Sequence, residues 1–227
     1  MELENWLTYE GTDVFRINQS AYTYKTSFVA LDADGSPRAY NPDDTGLDAN
    51  ANAGFPNKGW RSVLVVDPQD HSRPFVQPSG PTRGFFVSKT SLIDLSTTFP
   101  ATNPAKYVDA EAFPYIVFPG GFFAIRGTGN WGDLVMARSL AGGQQSAAIV
   151  ADGGPMKAPL GEISMELATA LGGHNPDART GAGAPRGVLQ YVVFPGSRHN
   201  PPWPRSLSDI QREAAALLAA IGGWPTI

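Results

Sequence analysis

Two carboxylates stand close together in apolar surroundings: Asp152 in Ile149-Val150-Ala151-Asp152-Gly153-Gly154-Pro155, and Glu162 in Gly161-Glu162-Ile163-Ser164. An apolar strand running into a Gly-Gly-Pro turn would present Asp152 at its end. A helix beginning near Gly161 would carry Glu162 in its first turn. Two acids so placed suit hydrolysis of a glycosidic bond, in which one carboxyl protonates the leaving oxygen and the other, ionised, activates water. A turn aspartate and a helix-opening glutamate are also ordinary structural choices, so the pair alone fixes no function.

A second group of acids precedes the pair. Asp32-Ala33-Asp34-Gly35 and Asp43-Asp44-Thr45-Gly46-Leu47-Asp48 hold five acids between positions 32 and 48, with Arg38 the only base. Asp32, Asp34 and Asp48 are the candidates for an anionic groove wall that would pair with protonated amines; the plain reading is Asp-Gly turns with solvated neighbours. Asp-x-Asp-Gly resembles the opening of a calcium loop, but Asp43 stands where the bidentate glutamate belongs. Tyr40, Trp60 and Trp131 are the aromatic candidates for substrate contact, Trp131 because a tryptophan among glycines can stack on a sugar ring. Trp203 and Trp224 read as structural anchors.

Other chemistries lack their residues. With no cysteine, disulfides, thiolate metal sites and Cys catalysis are excluded. His71, His174 and His199 lie scattered in loops with no zinc or triad motif. Gly127-Thr128-Gly129 has no third glycine and no Gly-Lys-Ser/Thr after it, so it is not a nucleotide loop. Gly35-Ser36-Pro37 and Gly196-Ser197-Arg198 make no nucleophile elbow. No metal and no organic cofactor is expected.

The elements that must position these acids are short strands. Gly (25) and Pro (20) make up close to a fifth of 227 residues and are spread along the chain, which argues against a helical bundle. Strands are expected at Thr26–Leu31, Ser62–Val66, Gly84–Ser88, Tyr115–Phe118, Phe122–Arg126, Asp133–Arg138, Ala147–Ala151 and Leu189–Phe194. Several are apolar throughout, as strands covered on both faces are. Two helices are expected. One is Gly161–Leu171, stopped by Gly172-Gly173; the other is Asp209–Ile221, with Ser208 and Gln211 as a capping box and Gly222-Gly223 as its stop. The words Tyr115–Gly120 and Tyr191–Gly196 differ only by Ile116 against Val192, a hint of internal symmetry. The stretches Pro37–Lys58 and Gly172–Gly187 read as long loops, a length at which loops are usually functional or mobile.

Residues 1–25 read as an N-terminal extension and residues 26–227 as a single catalytic domain. The net charge of −4 makes an extended nucleic-acid footprint unexpected, and mildly favours a cationic substrate. No apolar run reaches membrane-spanning length, and Met1–Asp13 has no apolar core of a signal peptide. A monomer without nucleic-acid or membrane partners is expected, acting outside the cell or on its wall by an export route the chain does not reveal.

The run Ala148–Glu162 (AIVADGGPMKAPLGE), continued by Ile163-Ser164 and on to Leu171, resembles the catalytic region of the glycoside hydrolase family 75 chitosanases. Asp109–Val117, Phe28–Asp34, Leu47–Pro56, Gly84–Leu92 and Tyr191–Gly196 are similar to further segments of that family, so the likeness spans most of Phe28 to Trp224. It implies hydrolysis of β-1,4-linked glucosamine polymers with inversion, the acid pair falling on Asp152 and Glu162. Asp152, desolvated at a strand end, is then the better acid, and Glu162, near a helix N-terminus, the better base. Asp32, Asp34 or Asp48 could instead be the base, with Glu162 orienting substrate. The likeness also implies a mainly β fold with two helices: a six-stranded double-psi-like barrel with extra strands and a C-terminal helix. A peptidoglycan-glycan hydrolase or wall-lytic toxin, and a non-catalytic expansin-like carbohydrate-binding module, are the alternative readings. The absence of cysteine departs from what a secreted fungal enzyme of this kind would carry.

Overall fold

The computed structural model describes residues 2–57 and 59–227. In chain order its elements are β1 (Glu4–Tyr9), β2 (Thr12–Ile17), β3 (Ala21–Thr26), β4 (Ala30–Asp32), α1 (Trp60–Val63), β5 (Tyr115–Pro119), α2 (Gly120–Phe123), β6 (Leu134–Ser139), β7 (Gln145–Gly154), β8 (Glu162–Ser164), α3 (Met165–Ala170), β9 (Leu189–Phe194) and α4 (Leu207–Ala220). The nine strands form one sheet in the order β1-β2-β3-β9-β6-β7-β5-β8-β4. The fold is mainly β, as expected. The expected six-stranded double-psi-like barrel is not shown, because the hydrogen-bonded sheet runs open from β1 to β4.

Both faces of the sheet are covered, which is why the central strands are largely apolar. Every residue of β5 and of β9 is buried. On one face Tyr22, Ile116, Phe118, Val150 and Ile163 pack under Phe122 of α2 and Leu167 of α3. On the other Tyr115, Val117, Ile149, Ala151 and Val192 pack under Trp203 and the Ile210, Ala214 and Leu218 stripe of α4. A third cluster of Ala33, Tyr40, Trp60, Leu64 and Phe86 lies among the long connections before β5.

The N-terminal residues are part of this sheet. β3 pairs antiparallel with β9 from Tyr22↔Val193 to Thr26↔Leu189, and β2 and β1 extend it outward. Residues 4–26 therefore form three strands, where an extension was expected, and Tyr22 and Tyr24 are core residues. Ser62–Val66 opens as α1, and Gly84–Ser88 makes only isolated bridges. Phe122–Arg126 is not a strand either: the N–H groups of Gly120 and Gly121 bond the carbonyls of Pro155 (3.1 Å) and Met156 (3.0 Å), and the chain coils into α2.

The helix expected at Gly161–Leu171 begins later. Glu162–Ser164 pairs into the sheet as β8, and Ser164 caps α3, its Oγ accepting from the N–H of Leu167 at 3.1 Å. The cap of α4 is Ser206, accepting from Asp209 N at 3.1 Å, two residues before the expected one. The repeated words lie on β5 and β9, which stand in different surroundings. β9 is flanked by two antiparallel neighbours, whereas β5 has one parallel and one antiparallel.

Candidate active site

A cleft of about 450 Å³ opens among β5, β7, β8 and β4, and Asp32, Asp34, Asp152 and Glu162 line it together with Val117 and residues Asn52, Ala53 and Gly54. Its geometry begins with a bulge. Ile116 of β5 pairs with Val150 of β7, but Val117 pairs with Asp152, leaving Ala151 as an extra residue. Strict alternation would turn Asp152 to the face of Val150, under the core; the bulge turns it to the side of Val117. The carbonyl of Ala151 takes its hydrogen bond from Leu92 N at 2.8 Å.

Glu162 reaches the same place from the other neighbour of β5. β8 pairs antiparallel with β5, Ile163 opposite Ile116 and Glu162 opposite Val117. Asp152 and Glu162 thus stand two strand spacings apart, with backbones separated by roughly 9–10 Å. On its other edge β8 pairs in parallel with β4, setting Asp32 opposite Ser164. Gly161 permits this approach. Its φ is +132°, and a Cβ there would lie 2.1 Å from the carbonyl oxygen of Phe28.

The two acids are held differently. Oδ1 of Asp152 accepts from Ser91 N (2.9 Å), Ser91 Oγ (2.6 Å) and its own neighbour Gly153 N (2.7 Å). Burial pushes its pKa up, those three donors pull it back, and it comes to about 6. Glu162 accepts no hydrogen bond among the described residues. Burial first, then the charges of Asp152 and Asp48, push it up to about 7.

Asp32 and Asp34 complete the floor. Asp32 Oδ2 accepts from Tyr115 Oη at 3.0 Å, and Asp34 Oδ1 from Tyr40 Oη at 2.9 Å and Ser88 Oγ at 3.0 Å. Both are driven well above the usual carboxylate range, Asp32 by burial and then by Asp34, Asp34 by burial and then by Asp152. Oxygens of Asp32, Asp34 and Asp152 lie within 4.8 Å of one another. These are the residues a cation would use; protonation relieves the same crowding.

The remaining candidates sit around this floor. Asp48 is buried behind it, bonded to Asn52 Nδ2 (2.7 Å) and Tyr40 Oη (3.2 Å), and acts on Glu162 through charge. Tyr40 is buried, its hydroxyl bridging Asp34 and Asp48, so it holds carboxylates and offers no ring to a sugar. Trp60 is a core residue with Phe55 edge-on at 6.2 Å and Arg61 over its ring at 4.5 Å. The expected stacking role has no open face there. Trp131 is half-buried and stacked on Phe123 at 4.0 Å; a Cβ on Gly153 would meet its Cη2 at 3.1 Å, so its ring edge borders the site. Trp203 packs on Phe113 and Trp224 bonds Gln145, both as anchors.

Tyr115, Ser88, Ser91, Asn52 and Lys89 escaped the sequence reading. Tyr115 opens the repeated word, yet the hydroxyl of its counterpart Tyr191 is buried with no hydrogen-bond partner among the described residues, so the repeat is no signal of the site. Ser91 lies in an undistinguished Ser-Lys-Thr-Ser stretch, 61 residues from the carboxylate it holds. Lys89, whose pKa burial lowers and Asp152 and Asp34 push back up, extends its Nζ to the carbonyl of Arg61 at 2.6 Å. Compared with known proteins, the chain matches no family model and no curated sequence.

Proposed function

We propose that this protein is an inverting endo-hydrolase of β-1,4-linked glucosamine polymer, chitosan, with Asp152 and Glu162 as its acid–base pair. One observation carries the reading: the two carboxyls face one cleft from opposite sides of Val117. Backbones two strand spacings apart can carry carboxyls at the roughly 6.5–9.5 Å that inverting enzymes use to admit a water. The resemblance of Ala148–Glu162 to family 75 chitosanases points the same way.

The three donors on Asp152 and the lack of any on Glu162 among the described residues support roles opposite to the sequence expectation. Glu162 lies on a strand, and burial and the neighbouring charges that push it up to about 7 let it hold its proton below neutrality. It is the general acid. Asp152, with three donors on one oxygen and a value of about 6, is ionised there and is the base. Glu162 gives its proton to the leaving glycosidic oxygen as the C–O bond breaks. Asp152 takes a proton from water, whose oxygen bonds to the anomeric carbon on the opposite face, so one proton enters and one leaves the pair per turnover. Asp32 and Asp34 add acceptors for ammonium and hydroxyl groups, and Trp131 adds an apolar edge. A double-psi-like barrel belongs to the same proposal. The parallel pairings β4–β8 and β5–β7 favour it. Action on extracellular or cell-wall polysaccharide, as a monomer, is part of the same proposal.

The test is release of reducing ends from chitosan by wild type, Asp152→Asn and Glu162→Gln. Activity in wild type, and loss of about 10³-fold or more in both folded variants, supports the proposal. If wild type releases nothing from chitosan the proposal fails, and cleavage of peptidoglycan sacculi would move the function to wall glycan.

A further inference from the structure

The cleft wall at Asn52–Gly54 belongs to the long loop of residues 37–58, which contains no helix or strand among its described residues. Phe86 N on the carbonyl of Tyr40 (2.9 Å) and Gln77 Nε2 on that of Pro37 (2.8 Å) hold its first residues, and the other long loop, residues 172–187, holds the part next to the cleft wall. Arg179 Nη1 donates to the carbonyls of Asp48 (3.1 Å) and Gly46 (3.3 Å), and Nη2 to Asp44 Oδ1 (3.2 Å). We infer that Arg179 is a positioning residue, a cationic clip whose three bonds join the two loops and hold the cleft wall in place.

Each end of the clip is built to transmit order. Asp44 Oδ1 also accepts from Asn50 N (2.9 Å), and Asp48 Oδ1 from Asn52 Nδ2 (2.7 Å), so both acidic residues that Arg179 touches are tied to the segment entering the cleft. Through Tyr40, Asp48 connects onward to Asp34. The donor loop is itself fixed: Asp177 Oδ1 accepts from Arg179 N (2.9 Å), Asp177 O from Gly181 N (2.8 Å), and His174 N reaches Gly183 O (2.8 Å). Ala178 packs against two of the core clusters. The bonds demand a planar fork reaching three oxygens, which a lysine ammonium on one point cannot supply. Because the Arg179–Asp44 pair is a third to a half exposed, its part in global stability is small; its effect is local.

Hydrogen exchange of the full chain, followed at the amides of Asn50, Asn52, Gly54 and Phe55, tests this in Arg179→Met and Arg179→Lys. Exchange on the order of tenfold faster at these sites is expected in both variants, with Tm nearly unchanged. The functional half rests on the proposed chitosanase reading: KM for chitosan should rise several-fold while kcat changes less, because the wall touches substrate and not the reacting bond. Unchanged exchange at the four amides overturns the clip. Faster exchange with unchanged KM overturns its role in holding the cleft. A wild type that cleaves no chitosan removes the enzymatic reading and leaves the exchange result to decide the clip alone.

Discussion

Asp152 and Glu162 are both register partners of Val117, one across a parallel ladder and the other across an antiparallel one. The relationship needs the bulge at Ala151. Without the extra residue Asp152 would share the face of Val150 and Ile163, beneath α3, and of the pair only Glu162 would face the cleft. The backbone defect and the acid pair are therefore one feature.

Activity should follow a narrow bell in pH. Asp152 must be ionised, so the rate rises through about 6; Glu162 must be protonated, so it falls through about 7. The kcat/KM profile on chitosan checks this. A rate that stays level well above the upper value would remove Glu162 as the acid.

Ser91→Ala isolates the hold on the base. It deletes the 2.6 Å donor to Asp152 Oδ1 and leaves the Ser91 and Gly153 amides in place. With less stabilisation of the anion, the pKa of Asp152 rises, and the acid limb should move up by about one unit while the basic limb stays. If both limbs stayed put, Ser91 would have no part in tuning the base.

How much of this was legible beforehand depends on the range of the interaction. β9 matches its expected span, Leu189–Phe194, because the aromatic and β-branched run Tyr191–Phe194 between Gly187 and Gly196, broken from Leu189 only by Gln190, leaves few alternatives. The acids Asp152 and Glu162 were visible as residue types beside glycines. Their environments were not, since three-residue β8 exists only through pairing with β4 and β5, and local pattern read its first residue as helix. β1–β3 went unseen because they carry tyrosines, threonines and charges in no apolar run, and β3, though buried almost throughout, is buried by pairing that local pattern does not show. Trp60 shows the opposite error. An aromatic near acids reads as a sugar platform, and only tertiary packing reveals it as the core of the loop region.

The acid cluster should cost stability as pH rises. Asp32, Asp34, Asp152 and Glu162 all have folded values above their ordinary ones, so the folded state binds more protons than the unfolded chain. Stability then falls as pH climbs from about 4 through the folded values. Asp34→Asn keeps an oxygen for Tyr40 and Ser88 while removing one charge. Its Tm at pH 8 should exceed that of wild type by roughly 2–4 °C, the shift given by about 1 kcal/mol in a domain of this size. The gap should close near pH 3. A variant less stable than wild type at pH 8 would mean that Asp34 is needed as an anion.

Gly154→Ala probes where the Glu162 carboxyl must be. A Cβ there would stand 3.0 Å from Glu162 Oε2 and 3.5 Å from Val117 Cγ1. The backbone at Gly154 lies on β7 without a positive φ, so alanine fits the chain and the strain falls on a flexible glutamate side chain. The carboxyl should swing by a few tenths of an ångström or more. Displacement of about 1 Å can cost on the order of 10²-fold in rate, so a loss of about tenfold in kcat is expected with Tm held close to wild type. Measured beside Glu162→Gln, the two effects should not add, because a displaced carboxyl and a missing one disable the same proton. Full additivity would place the function of Gly154 elsewhere than in leaving room for Glu162.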